Sequence, residues 1–457
     1  MNCWGLSARE YADVEAEVVG LLSRLIQADT SNPPGDVTSA ARVLEEYYAA
    51  NGMPVTTVGE VDERPNCVAR LGGAGGAPTL LLLGHIDVVP AVDADEWTEP
   101  PFSGVVKDGY VWGRGALDMK NMVAAEAVAL VRLARAAATG DRLRGDLIVA
   151  STADEESGDF CGAKWLTEQH PDLVRCDYVL NEGGFEMLHV GDRRLYTIHA
   201  GEKGYANSRI VVHGHGGHGS MPQHERSVAH AVARVVKAIE EYDPEVLTTR
   251  TPVELIDYHV RDADLRRRLM DPATARDAVR ELAVTNPDVA RLIEPQLGLT
   301  FATTNITVGH GAVNVIPGRG EIIVDCRVLP GQTPDDVRRE FEAALKGVAA
   351  DWEFDCFCFT GANQSPPTSA LRDAIGATMA ELVPDGDVIC ENSAGFTDCT
   401  HFRAAFPDTV CYGFTPFVEE TAAAITPRFH GRDERISVAD LVFQTIFIER
   451  TARQLLT

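Results

Sequence analysis

No apolar run in the 457-residue sequence approaches the roughly 18 residues that a membrane-spanning helix needs. Nor does a basic segment followed by an apolar stretch stand near the start. Met1-Asn2-Cys3-Trp4-Gly5 leads at once into a charged helical pattern, so no secretory leader is expected. The ten cysteines include no CxxC pair, and Cys356 and Cys358 stand one residue apart in a strand-like stretch. They are read as reduced thiols, small buried hydrophobes of a cytoplasmic protein. Positive charge is scarce: 41 Lys and Arg face 68 Asp and Glu, a net charge of −27. That surplus repels phosphate backbones and anionic membrane surfaces, so neither nucleic acid nor lipid is expected as a partner. What remains is the composition of a folded, soluble chain, with 45% hydrophobic and 24% charged residues. Its length exceeds one ordinary core, so two domains, or one carrying an insertion, are expected.

Strand and helix patterns alternate. From Ser7 to Gln27, residues Tyr11, Val14, Val18, Leu21, Leu22 and Leu25 share one helical face. Thr30-Ser31-Asn32-Pro33-Pro34-Gly35 breaks this helix, and a second follows to about Asn51. Leu80-Leu81-Leu82-Leu83 is a continuous apolar run typical of a buried parallel strand, and Leu147–Thr152 and Tyr178–Asn181 read similarly. Asp108-Gly109 marks a hairpin, and an Ala-rich helix is predicted over Lys120–Ala138. The expectation is an α/β fold, a helix-covered mixed sheet. Beyond about Gly201 the pattern changes. Alternating strands (208–213, 304–308, 321–329, 352–359) combine with helices over 228–242 and 334–346 and a charged helical tract to about Ile293. This predicts an inserted α+β domain over 203–361, between catalytic segments 1–202 and 362–457.

Five short segments carry chemistry. In Gly84-His85-Ile86-Asp87, residues two apart on an extended chain point the same way, so Asp87 is placed to hold the His85 imidazole. Gly113-Arg114-Gly115-Ala116-Leu117-Asp118 puts an acid on a tight turn at the start of a long helix, where it also suits an N-cap. Asp154-Glu155-Glu156 places three acids just past an interior strand, costly without neutralising cations; adjacent side chains diverge, so one can bind metal while its neighbour faces substrate. Glu182 follows another apolar strand, and His430 lies in a polar loop near the C-terminus. Each alone is weak. Together they form an O/N ligand set suited to two zinc ions sharing a carboxylate.

These segments, in this order, resemble the dizinc metallopeptidases that include aminoacylase, carboxypeptidases G and S, acetylornithine deacetylase and succinyl-diaminopimelate desuccinylase. The resemblance covers nearly the whole chain. It implies that Asp118 bridges two metals, that His85 and Glu182 complete one site, and that Glu156 and His430 complete the other. Glu155 would be the general base. The inserted domain would be a lid that also mediates homodimerisation. Within it, His218 resembles the histidine that reaches a neighbouring subunit's active site, and Asn314 and Arg327 resemble substrate-holding residues. The turn Gly395–Asp398, with Gly395 and Thr397, resembles the one lining the pocket. An arginine fork suits a carboxylate. Two departures stand out. Gly183-Gly184 follows Glu182 where the desuccinylase branch has a proline, which, with Trp97–Trp112, looks more like the carboxypeptidase S branch. The lid is also enlarged between Glu240 and Leu299.

The implied activity is hydrolysis of the amide bond of an N-acyl amino acid or short peptide, with a biosynthetic deacetylase or desuccinylase as the alternative. A non-catalytic amino-acid-binding protein on the same fold would have lost a ligand or the base, and every such position is filled here. Zinc is expected, although mixed O/N sites also accept cobalt or manganese.

Overall fold

The computed structural model describes residues 4–158, 161–185, 187–221, 227–247, 252–309 and 313–457. It divides into two compact units, Met1–Ala200 with Ser365–Cys390 and Thr397–Thr457, and Gly201–Gln364 with Glu391–Phe396.

The first unit is built on a mixed sheet. Its order runs Val55–Gly59, Pro65–Leu71, Leu147–Thr152, Leu80–His85, Tyr178–Asn181, Val410–Gly413, then the strand beginning at Arg193. The strands Leu80–His85, Leu147–Thr152, Tyr178–Asn181 and Val410–Gly413 run parallel, with antiparallel neighbours on either side. Side-chain alternation divides the core into two layers. Leu80, Leu82, Leu147, Val149 and Leu180 pack with helices Ala8–Gln27, Thr38–Ala50, Lys120–Ala138, Ala370–Leu382 and Val438–Leu456. Leu81, Leu83, Ile148, Ala150 and Val179 pack on the other side, against Ala163, Leu166, Cys399 and Phe402 of two shorter helices. This is a helix-covered mixed α/β sheet, as expected.

Local signals explain several boundaries. Ser7 caps the first helix in a capping box with Glu10. The hairpin Val106–Lys107 and Tyr110–Trp112 turns on Asp108 and Gly109, both at positive φ. Ser437 caps the last helix, its Oγ accepting from the Asp440 N–H.

The second unit holds a four-stranded antiparallel sheet in the order Thr300–Val308, Arg319–Val328, Gly204–His213, Asp351–Thr360. Buried positions alternate along the two central strands and pack with helices Val228–Glu240 and Pro334–Ala344. The enlarged tract forms four helices between Pro252 and Ile293. Glu391–Phe396 joins this unit because Gln296 Nε2 donates to the Asn392 carbonyl at 2.7 Å and the Lys203 N–H to that of Ser393 at 3.0 Å.

Among the described residues, no helix is long and apolar enough to cross a membrane. Phe447 is fully buried in the last helix, with ring centroids 5.3 Å from Phe414 and 6.5 Å from Phe443. Phe447→Ala is expected to cost about 3–5 kcal/mol through lost burial and the cavity left behind, read as a lower urea midpoint for the first unit.

Candidate metal centre and active site

Three parallel strands end at one edge of the first unit's sheet. His85 is the last residue of one, Thr152 ends the next and leads into Asp154-Glu155-Glu156, and Asn181 ends the third before Glu182. Carboxyl ends of parallel strands are where α/β sheets place their ligands. Gly84 allows close approach there: a Cβ would stand 3.0 Å from side-chain carbons of Met119 and Val123 on the segment that follows Asp118.

Asp118 is the shared element. Its Oδ1 lies 3.2 Å from His85 Nε2 and its Oδ2 lies 3.1 Å from His430 Nε2. Glu182 Oε1 is 3.7 Å from His85 Nε2, and Glu156 Oε2 is 3.3 Å from His430 Nε2. The result is two groups of three, His85–Asp118–Glu182 and Asp118–Glu156–His430, each with one ligand atom per residue and those atoms within 4.8 Å of one another. His430 takes a left-handed backbone conformation, φ 55°, a local strain of the kind that clusters at functional sites.

These donors fit divalent cations. The His85 Nδ1 is 2.9 Å from the Asp87 carbonyl oxygen, which can only accept, so Nδ1 carries a proton and Nε2 is the ring atom turned toward Asp118 and Glu182. Two carboxylates converging on Nε2 call for a positive charge there, on the ring itself or on a cation in the place of its second proton. Burial works against a charged His85, but Asp118, Asp87, Glu182 and Glu155 raise its pKa well above the usual value. Hydrogen bonds to Asp118 and Glu156 push His430 up to about 10. Burial, then repulsion from Glu182, raises Glu155 well above the carboxylate range; Glu182 is raised chiefly by burial, and Asp398, also by burial, to about 7. Glu156 Oε1 is buried with no hydrogen-bond partner among the described residues. Carboxyl groups outnumber imidazoles here, and two cations would offset the mutual repulsion of those that are ionised.

Asp87 meets the His85 ring with two atoms. Its backbone carbonyl is 2.9 Å from His85 Nδ1, and its carboxylate, expected to hold the imidazole, stands 3.5 Å from the same nitrogen. That carboxylate also accepts from the Glu155 and Glu156 N–H groups, each at 3.1 Å. Glu434 does the same on the opposite side, Oε1 accepting from the Leu117 and Asp118 N–H groups at 2.7 and 3.1 Å while Oε2 pairs with the buried Arg114 at 2.5 Å. Phe185 and Phe429, three residues past Glu182 and one before His430, meet at a centroid separation of 4.4 Å. Asp398 accepts from Thr152 Oγ1 at 2.7 Å. The sequence singled out none of these roles for Glu434, Phe185 or Asp398. The repeated Gly-Arg-Gly and Arg-Asp-Glu clusters beside Asp118 and His430 were the available signal.

The remaining sequence-selected residues divide between the units. Thr397 belongs to the first, its Oγ1 accepting from Asn181 Nδ2 at 3.0 Å, beside Glu182. His218, Asn314, Arg327 and Gly395 belong to the second. His218 and Asn314 are neighbours, the Gly219 N–H donating to the Asn314 carbonyl at 2.8 Å. The Ser220 N–H donates to His218 Nδ1 at 3.2 Å, which leaves the proton of the neutral ring on Nε2. Arg327 is paired with Asp325 on its own strand, Nε and Nη2 donating at 2.9 and 3.1 Å. The Gly395 N–H donates to Ser393 Oγ at 2.9 Å.

The chain is similar to known proteins over most of its length. It is 30% identical over 439 residues to a succinyl-diaminopimelate desuccinylase of Gluconacetobacter diazotrophicus, covering 93% of this chain and 94% of that protein. It is 27% identical over 370 residues to a probable carboxypeptidase S-like protein of Dictyostelium discoideum, covering 79% of this chain and 68% of that one. Its fold matches the M20 family metallo-carboxypeptidase Sso-CP2 of Sulfolobus solfataricus with a TM-score of 0.71 at 18% identity, over 96% of this chain and 99% of the other. Residues 81–454 match the family described as Peptidase family M20/M25/M40. With that match spanning most of the chain, and with its acids and imidazoles gathered at one sheet edge, the protein is a hydrolase belonging to peptidase family M20/M25/M40.

Proposed function

We propose that this chain hydrolyses the amide bond of N-acyl amino acids or short peptides next to a free carboxylate, with two divalent cations, zinc by preference, held by His85, Asp118 and Glu182 and by Asp118, Glu156 and His430. The observation that carries this reading is the pair of three-residue groups sharing Asp118, with Glu155 between Asp154 and Glu156 on the same loop. When bound there, the cations would polarise the carbonyl and bring a water's pKa toward neutrality.

The chain's own groups supply the rest. The Glu155 carboxylate takes a proton from the attacking water and returns it to the leaving nitrogen, a transfer favoured by a base tuned upward from the ordinary carboxylate range. His218 donates from Nε2 to the carbonyl oxygen as charge develops there, provided by a second copy of the chain. Arg327 receives the substrate carboxylate in exchange for part of its pairing with Asp325, helped by Asn314. Gly395 and Thr397 line the pocket. Pairing of two copies through the second unit is supported by its edge strand Thr300–Val308, whose residues 302–307 are exposed and include Ile306. A cytoplasmic setting is supported by Cys67, Cys176, Cys326, Cys356, Cys358 and Cys411, all free thiols.

A second reading, a desuccinylase or deacetylase of amino-acid biosynthesis, is favoured by the desuccinylase that matches nearly end to end. Gly183-Gly184 after Glu182 favours the carboxypeptidase-like reading. A panel of N-acetyl and N-succinyl amino acids and dipeptides, with the zinc-loaded protein, separates the two. Two bound zinc ions with no turnover of any panel member would overturn both and leave a binding protein.

Glu155→Ala is expected to lower kcat by about 10²- to 10⁴-fold, while metal analysis still finds two ions per chain. Near-normal turnover would remove Glu155 from its role. His430→Ala should retain about one ion per chain and Asp118→Ala essentially none, since ligand loss empties the position it serves. Chelation should lower the thermal midpoint of the wild-type chain, because the clustered carboxylates lose their counter-charge; an unchanged midpoint would count against cations at this site.

A further inference from the structure

The segment Ser31-Asn32-Pro33-Pro34, which breaks the first helix, delivers one side chain into the active-site loops. Asn32 is 3% exposed, and it is fixed before its side chain acts. Its N–H donates to the Val88 carbonyl at 2.8 Å, the Val88 N–H to that of Thr30 at 3.2 Å, and Thr30 Oγ1 to that of Ile86 at 2.6 Å. Residues 30–32 are thereby laced to the stretch just past His85, with a parallel bridge between Ser31 and Val88.

From there Asn32 Nδ2 donates to Asp87 Oδ2 at 2.9 Å and to Asp154 Oδ1 at 3.0 Å. Both acceptors are buried, and a carboxylate can only accept, so the amide must present its nitrogen to them. The two acids hold different parts of the loop. Asp87 takes the Glu155 and Glu156 N–H groups, and Asp154 takes the Cys161 N–H at 3.0 Å and the Ser157 hydroxyl at 2.8 Å. Arg64 Nη1, 3.3 Å from Asp154 Oδ1, adds a positive charge beside Asp154.

We propose that Asn32 is the positioning residue of the active-site loop, joining Asp87 to Asp154 through the two protons of its side-chain amide and so fixing Glu155 and Glu156. Without it, two buried carboxylates face one another with no donor between them, and both loosen their hold on the loop backbone. In this role Asn32 acts through Asp87 and Asp154, not on the reacting groups themselves. The consequence for turnover rests on the reading of Glu155 given above, whereas the consequence for the loop does not.

The test compares Asn32→Ala with Asn32→Asp in the full chain. Aspartate keeps the shape of asparagine and replaces both donors with acceptors. Amide hydrogen exchange is followed at Glu155 and Glu156 in the metal-free protein, and steady-state kinetics are measured on an N-acetyl amino acid or dipeptide cleaved by the zinc-loaded wild type. In Asn32→Ala, exchange at the two amides should accelerate and kcat should fall about 10- to 100-fold, as for other supports of metal sites, with KM changing far less. Asn32→Asp should be the worse of the two by both readouts. An aspartate variant close to wild type beside an impaired alanine variant would show that Asn32 only fills space, and would overturn the proposal. So would unchanged exchange at both amides. A wild-type chain that cleaves nothing refutes the proposed function instead, and the exchange comparison still decides the placement of Asn32.

Discussion

The structure depends on concentrating negative charge where it is expensive. Asp118, Glu155, Glu156, Glu182 and Asp398 gather at the carboxyl edge of a parallel sheet, and burial raises the pKa values of Glu155, Glu156, Glu182 and Asp398. Asp118 runs the other way: burial opposes its charge, but hydrogen bonds from His430 and His85 hold its pKa well below the usual value. The acid set between two imidazoles stays ionised, and the acids around it are pushed toward protonation. The proposed roles draw on that difference, with Asp118 shared between two cations and Glu155 carrying a mobile proton.

Such a cluster lasts only if the backbone beneath it is held. A buried carboxylate accepting two consecutive amide N–H groups recurs three times in the first unit. Asp87 takes those of residues 155 and 156, Glu434 those of 117 and 118, and Asp440 those of 418 and 419, the last pair at 2.6 and 2.9 Å. Each joins segments remote in the chain. Hydrogen bonds with an ionised acceptor are stronger than neutral ones, and two on one side chain fix orientation as well as distance. Arg114 and Lys120 serve the same region from the cationic side. Arg114 pairs with Glu434, and Lys120, lowered to about 7 by burial, donates to the Leu25 and Ala28 carbonyls at 3.0 and 2.8 Å.

Much of this was legible in the sequence, for particular reasons. Leu80–Leu83 and Leu147–Ala150 are apolar throughout because both sheet faces are covered, and the helix over Lys120–Ala138 appears with the bounds expected of it. His85, Glu156 and Glu182 could be singled out because acids and imidazoles just past interior strands need a reason to be there, whereas Asp118, on a turn, and His430, in a polar loop, were carried by the order of the five segments and the resemblance they make. Asn32, Glu434 and Asp398 offered no such signal. Each is an ordinary polar residue in a turn or loop, and its meaning lies in partners far along the chain. The same limit hid the strand Val410–Gly413, four residues whose parallel partner, Tyr178–Asn181, comes much earlier. For Asp87, spacing gave the neighbour of the ring, but not that its backbone carbonyl approaches closer than its carboxylate.

The contact between Phe185 and Phe429 reaches further than its size suggests. One ring trails the loop bearing Glu182 and the other immediately precedes His430, so the apolar pair ties together loops that answer to different halves of the centre. A shift of either loop drags on the other, and Asp118 already belongs to both. The two groups of candidate ligands are therefore tied twice, through the shared Asp118 and through this packed pair of rings.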